Sequence, residues 1–204
     1  MPQLNVETWG KIFTDAPKEL LVLLLAAWSA GISLYLSVGL LGLCGYFEWI
    51  RLPGELNIFS NPLVFSAAFI IFIIEFIADK IPVVDSVWDS VHTFIRPLGG
   101  FAMGYMAGSE HGPVVQVVYA MVAGTLTLDM HTAKAAGRLA INTSPEPFSN
   151  WLASFGEEGM VLGGLWAMLA SPVVFLGLLA VFLVIAAFVL YKLGGFLERL
   201  LRRV

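Results

Sequence analysis

Residues 75–97 read EFIADKIPVVDSVWDSVHTFIRP, with six formal charges and a histidine in a 204-residue chain that is 58% hydrophobic and 13% charged. Ionisable side chains are costly in apolar surroundings, so their concentration in one stretch needs a reason. Helical periodicity supplies the first part of it. In a helix starting after Pro82, Asp85, Asp89, His92 and Arg96 fall at i, i+4, i+7 and i+11 on one stripe, while Val84, Trp88, Val91 and Ile95 face elsewhere. The spacing predicts an amphipathic helix over 83–96 at or inside a membrane interface, with Trp88 on its apolar side. Just upstream, Glu75 and Asp79 stand one turn apart, with Lys80 beside them.

A second stripe follows in LTLDMHTAKAAGRLAINTSPEP, residues 126–147, where Thr127, His131, Lys134, Arg138 and Asn142 recur at steps of four, three, four and four. It is basic where the first is acidic. Both begin with an acid, then His-Thr, then a base: Asp89, His92-Thr93, Arg96 in one and Asp129, His131-Thr132, Lys134 in the other. One reading of this echo is an internal repeat of the kind that builds transporters around a midplane site. The pair FSNPL (59–63) and FSNWL (148–152) has a different register, so the repeat stays an open reading.

The surrounding sequence points to a bilayer. Mean hydropathy is +0.85, and uncharged runs cover 20–47, 57–74, 97–109, 112–128 and 159–191. A helix rises ~1.5 Å per residue and the hydrocarbon core is ~30 Å thick, so a span needs about 20 residues. Ser171-Pro172 divides the last run, since proline removes a helix donor and restrains its predecessor. The expected architecture is therefore all-α: a single integral-membrane domain, 1–204, built as a polytopic helix bundle. About six crossings are expected near 20–43, 60–79, 97–109, 113–133, 156–170 and 172–192, the middle two short or re-entrant. Residues 1–18 form a cytoplasmic N-terminal segment and 193–204 a basic cytoplasmic tail. This arrangement leaves Arg51 outside and the other ten of eleven Lys and Arg inside, as the positive-inside rule favours. The dense small residues Gly99, Gly100, Gly104, Ala107 and Gly108 suit close helix packing. A net charge of −4 and no basic face exclude nucleic-acid binding, and the lone Cys44 excludes an intrachain disulfide.

Chemistry enters where the two stripes could meet. The candidate ion or substrate path consists of Glu75, Asp79, Lys80, Asp85, Asp89, His92, Arg96, Asp129, His131, Lys134, Arg138 and Glu146. Complementary stripes would satisfy each other by ion pairing, and a mere structural lock has the same sequence. Asp85, Asp89 and His92 on one face could hold a divalent metal, the one cofactor the sequence suggests. Lys134 and Arg138 could grip a phosphate or carboxylate, and histidine beside a carboxylate can carry protons. The first expectation is a small transporter or channel with an ionisable site in the cytoplasmic half of the bundle. A membrane-embedded enzyme acting on lipid phosphate and a structural scaffold are the alternatives. Partners follow: the lipid bilayer, an ion, anion or lipid head group, and a second copy in a homo-oligomer.

The strings ADKIPVVDSVWDSVHTFIRP and INTSPEPFSNW resemble the two hallmark segments of a bacterial integral-membrane family, domain of unknown function four-one-two-six. The resemblance runs from about Ala27 to Leu190. It implies a multi-pass protein of the bacterial inner membrane and brings no catalytic assignment with it.

Overall fold

The computed structural model describes residues 6–142 and 147–201, and among them every regular element is helical. In chain order these are α1 (Val6–Ile32), α2 (Leu34–Tyr46), α3 (Pro62–Ala78), α4 (Pro82–Ala107), α5 (Pro113–Ile141), α6 (Pro147–Ala170) and α7 (Pro172–Leu201). Short 3-10 segments occupy Gly54–Ser60 and Ser109–His111. Each helix from α3 onward starts on a proline, whose missing N–H is an orphan donor at that position anyway. Asn61 caps α3, its side chain accepting from the Leu63 amide at 2.9 Å.

The charged stretch does lie on a helix, but on a longer one than expected. α4 runs unbroken through Pro97 for 26 residues, about 39 Å at the helical rise. The short segment expected at 97–109 is therefore corrected: one helix takes in both that uncharged run and the acidic stripe. α5, at 29 residues, likewise extends beyond the 113–133 expected of it. An interior proline costs about 3 kcal/mol, and tertiary packing outweighs it here. Gly100, Gly104 and Gly108 lie along α4 where a Cβ would overlap Thr127, the Tyr119–Ala120 backbone and Gln116 of α5. The two backbones touch along this glycine stripe, as the small-residue spacing predicts.

The first apolar run holds the larger correction. It is not one continuous helix over 20–43. Ser33 is extended (φ −146°, ψ 100°) and breaks it into α1 and α2. Glu19 of α1 meets His111 beyond the end of α4, while Gly45 near the end of α2 packs on Leu52 and Ser60, and Gly54 packs on the Met106 and Ala107 backbone. Both arms of the hairpin thus start and finish at one end of the bundle, and the tip at Ile32 and Ser33 sits deep inside. From Glu19 to Ile32 the helix rises only ~20 Å. α3 to α7 then run alternately end to end, with the 3-10 segment and α3 meeting at 72°.

Side chains are distributed inside out. Arg96, Arg138 and Glu75 rank among the largest fully buried side chains, whereas Leu63, Val83, Phe94, Val114 and Val173 are each more than 70% exposed. Trp88, expected on the apolar side of α4, is half-buried and stacks on His92 instead. By length and composition alone, α5 is the one helix among the described residues apolar enough to cross a membrane, and the bent pair Gly54–Ser60 with α3 makes a second. Toward the hairpin end the core is apolar, with Leu23, Ala27, Met103, Ala123 and Leu126 all buried.

Because Gly104 faces backbone that cannot yield, Gly104→Val should lower stability by about 1–3 kcal/mol or prevent folding. A Cβ on Gly137 of α5 meets nothing within 4 Å, so Gly137→Ala should leave thermal unfolding in detergent unchanged or slightly improved.

Candidate functional site

Three helices and the hairpin tip carry the site, and a fourth helix closes it. The last turn of α3 brings Glu75 and Asp79; α4 brings Asp85, Asp89 and Arg96; α5 brings His131, Lys134 and Arg138. All eight are buried, with Glu75, Asp85, Arg96 and His131 at 0% exposure. The two sequence stripes therefore face each other across the α4–α5 contact.

Arg96 is the centre. One terminal nitrogen pairs with Glu75 Oε1 at 2.6 Å, and the other donates to the Gly31 carbonyl at 3.1 Å and to His131 Nδ1 at 2.9 Å. A guanidinium can only donate, so His131 Nδ1 must accept, and the ring is neutral with its proton on Nε2. Nε2 then points at Thr93 Oγ1 (3.0 Å) and the Asp89 carbonyl (3.2 Å), while the Thr93 hydroxyl donates to that same carbonyl. Ser33, at the helix break, donates to the second Glu75 oxygen at 2.9 Å.

Lys134 donates to the Ile32 carbonyl at 3.2 Å and to Asp79 Oδ2 at 3.3 Å, with Glu157 Oε2 of α6 also at 3.3 Å. Arg138 grips Glu157 with two prongs, 2.8 and 2.7 Å, and donates to the Asp79 and Asn150 carbonyls. Such a fork is the strong form of a charge-assisted contact. Asn142 donates to Asp85 at 2.6 Å. Asp89 lies 3.9 Å from both Arg96 and Lys134 without a hydrogen bond to either carboxylate oxygen.

Other expected members fall elsewhere. His92 turns away from the acids: its Nδ1 donates to the Trp88 carbonyl at 2.9 Å, its Nε2 meets the Tyr35 hydroxyl at 3.3 Å, and its ring stacks on Trp88. The Asp85, Asp89 and His92 metal site is therefore not assembled, and no group of three His, Cys, Asp or Glu among the described residues is placed to hold a metal ion. Lys80 is half-buried at the rim, donating to the Phe76 carbonyl and to Ser154. Asp129 is half-buried outside the network, so the acid-His-Thr-base echo does not correspond to equivalent positions. Glu146 lies outside the described residues.

Glu157 and Glu158 are the members the candidate set lacked. Both are 8% exposed. Their signal was present in α6, where Asn150, Ser154 and Glu157 recur at i, i+4 and i+7, and all three are buried. A matching run, Ser29, Ser33 and Ser37, marks the hairpin tip.

An all-helical bundle closed around a buried network of charges is the class this geometry defines. The chain belongs to the family described as domain of unknown function (DUF4126), whose model matches residues 20–192. No curated protein and no solved structure matches it.

Removing Arg96 strands a fully buried carboxylate. Arg96→Met should cost about 3–5 kcal/mol in thermal or denaturant unfolding, and adding Glu75→Gln should recover part of that loss. Asp129→Asn should stay within about 0.5 kcal/mol of the parent. A single-variant loss no larger than that of Asp129→Asn would show that the pair does not organise the bundle.

Proposed function

We propose that this protein is a polytopic membrane protein of the bacterial inner membrane that moves a small ion, its path running through the charge cluster. The observation that carries the reading is the broken helix at Ser33, whose tip enters the bundle and presents the Gly31 and Ile32 carbonyls to Arg96 and Lys134. Discontinuous helices whose ends face an ionisable site near mid-depth are the construction that ion-coupled carriers use. Irregular backbone at that depth is tolerable only where protein or a wet cavity receives it.

Cavities support the same reading. One of about 210 Å³ lies between α4 and α5 and is lined by Ser86, Asp89, Thr93, Arg138 and Asn142. A second, also about 210 Å³, reaches Lys134, Arg138 and Glu157 from the other face of α5. At the hairpin end a cavity of about 380 Å³ is lined by Lys18, Glu19, Arg51 and Glu110, with the dry layer of Leu23, Ala27 and Met103 between it and the cluster. The arrangement suits a carrier open toward the charged end and shut toward the hairpin end. Neither alternative has comparable support. Lys134 and Arg138 are already engaged by Asp79 and Glu157, which argues against a phosphate grip, and a pure lock accounts for neither the cavities nor the carboxylate oxygens left without partners.

Orientation follows from the basic residues. Lys80, Lys134, Arg138 and Lys192 belong to the charged end, which is assigned to the cytoplasm. With the hairpin returning, this reading puts Lys18 on the side of Arg51 and counts five passes, α3 to α7, where the sequence suggests six. The sequence expectation puts Lys18 and Lys192 on one side; this reading puts them on opposite sides. In a Cys44-free background, Lys18→Cys and Arg51→Cys should both react with an impermeant thiol reagent added outside, and Lys192→Cys only after permeabilisation. Labelling of Lys18→Cys and Lys192→Cys from the same side would refute the hairpin topology.

Transport itself is tested by reconstituting the full chain in liposomes and imposing proton, sodium, potassium and chloride gradients in turn. One of them should drive flux above protein-free vesicles, and Glu157→Gln should reduce it at least tenfold while remaining folded. Absence of flux under all four would sink the reading.

A further inference from the structure

We infer that Asp89 is the proton-exchange site of the cluster, loading and releasing its proton through the cavity between α4 and α5. This deepens the ion-path reading and rests on it. Charge balance is the first argument. Among the described residues six carboxyl groups, Glu75, Asp79, Asp85, Asp89, Glu157 and Glu158, are buried with three buried cations, Arg96, Lys134 and Arg138, and Lys80 stands half-buried at the rim. Fully ionised, the cluster would carry a net charge of three minus six, an excess of three negative charges. Uncompensated charge of that size does not survive in an apolar interior, so positive charge must come from a ligand. A metal would need ligands gathered around it, and no such group is present among the described residues. A proton needs one oxygen.

The second argument selects the residue. Glu75 and Glu157 have both oxygens occupied, by Arg96 with Ser33 and by Arg138, while Asp79 and Asp85 each have one oxygen held, by Lys134 and by Asn142, and one without a partner. Asp89 is 5% exposed, yet neither of its oxygens has a hydrogen-bond partner, and it lines a cavity with Ser86, Ser90 and Thr93 that is large enough for several waters. Glu158 keeps one unpartnered oxygen and shares the excess.

In the exchange step a water enters from the cavity to reach the buried Asp89 carboxyl, whose O–H bond breaks as the proton passes to that water as hydronium. The electron pair stays on the carboxylate, whose charge is then held by Arg96 and Lys134, each 3.9 Å away. No electrons change hands, and the reverse step reloads the site. The groups facing Asp89 are Asp85 and Arg96 on its own helix, His131, Lys134 and Arg138 on α5, Asp79 at the end of α3, and Glu157 on α6. His131 does not compete for the proton, because its free ring nitrogen is taken by Arg96.

The test is infrared difference spectroscopy on the full chain in lipid nanodiscs, comparing acid and alkaline samples in water and in heavy water. The parent should gain a protonated-carboxyl C=O band on acidification. Asp89→Asn should lose its largest component, Asp89→Glu should move it to a new frequency, and Asp129→Asn should leave it in place. A band unchanged in Asp89→Asn overturns the assignment, and so does a band that responds to sodium at constant pH but not to pH. If Asp89→Asn does not fold, the frequency of Asp89→Glu decides in the same way. The two readings fail separately: liposomes that pass ions with an Asp89-independent band refute the proton site alone. An Asp89-dependent band in a chain that passes no ion refutes transport alone.

Discussion

A guanidinium buried in an apolar bundle must be surrounded by acceptors, and that constraint at Arg96 organises the rest of the structure. Its contacts reach Glu75 on α3, the Gly31 carbonyl at the end of α1 and His131 on α5, so one side chain on α4 ties four elements together. A buried ion pair gains little over well-packed apolar groups, but a broken one is severely destabilising. Its effect is to make other arrangements of the same helices unfavourable. α3 cannot slide along α4, and the hairpin cannot withdraw, without stranding a charge.

The same logic explains how a helix can stop in the middle of the bundle. The last carbonyls of α1 have no intrahelical partner, and the dipole leaves partial negative charge there. Arg96 and Lys134 donate to Gly31 and Ile32, and Thr127 donates to Ala27 one turn earlier. On the far side of the break, Ser33 binds Glu75 near the electropositive start of α2. The cations of α4 and α5 thus serve twice, pairing with carboxylates and capping a helix. In the proposed transport cycle, any change in the charge of the cluster bears directly on what holds the hairpin.

α5 is central to this arrangement. Its glycine-free stripe of Thr127, His131, Lys134 and Arg138 faces the charges, one cavity opens on each side of it, and its N-terminal half packs backbone to backbone on the glycines of α4. Close approach at one end and charged contacts at the other are consequences of one sequence gradient along the α4–α5 pair: glycine and alanine toward Gly108, ionisable residues toward Asp85. The exposed leucines, isoleucines and valines on the outer faces complete an inside-out protein, consistent with a bilayer as its solvent.

Much of the site was legible before any coordinates, because helical periodicity is local. The stripes through Asp85 and Arg96 and through Thr127 and Arg138 required only the spacing of residues on one helix each, and their opposite signs made the meeting favourable. The close α4–α5 packing was readable from Gly104 and Gly108 in the same way. Local information stopped at three places. His92 shares the stripe of Asp89, but Trp88 and Tyr35 divert its ring, and Tyr35 is 57 residues away in sequence. Glu157 stayed outside the candidate set because its partner, Arg138, comes from another helix, α5. Most of all, nothing within residues 20–47 says whether that apolar run crosses or returns. Composition by itself determined an all-helical, charge-poor chain with two complementary ionisable faces. Only the tertiary structure decided that the first helix breaks at Ser33 and that Pro97 does not break α4. The backbone groups freed at a helix break need partners, and those partners, Arg96 and Lys134, come from other helices, as does Glu75, which accepts from the Ser33 hydroxyl.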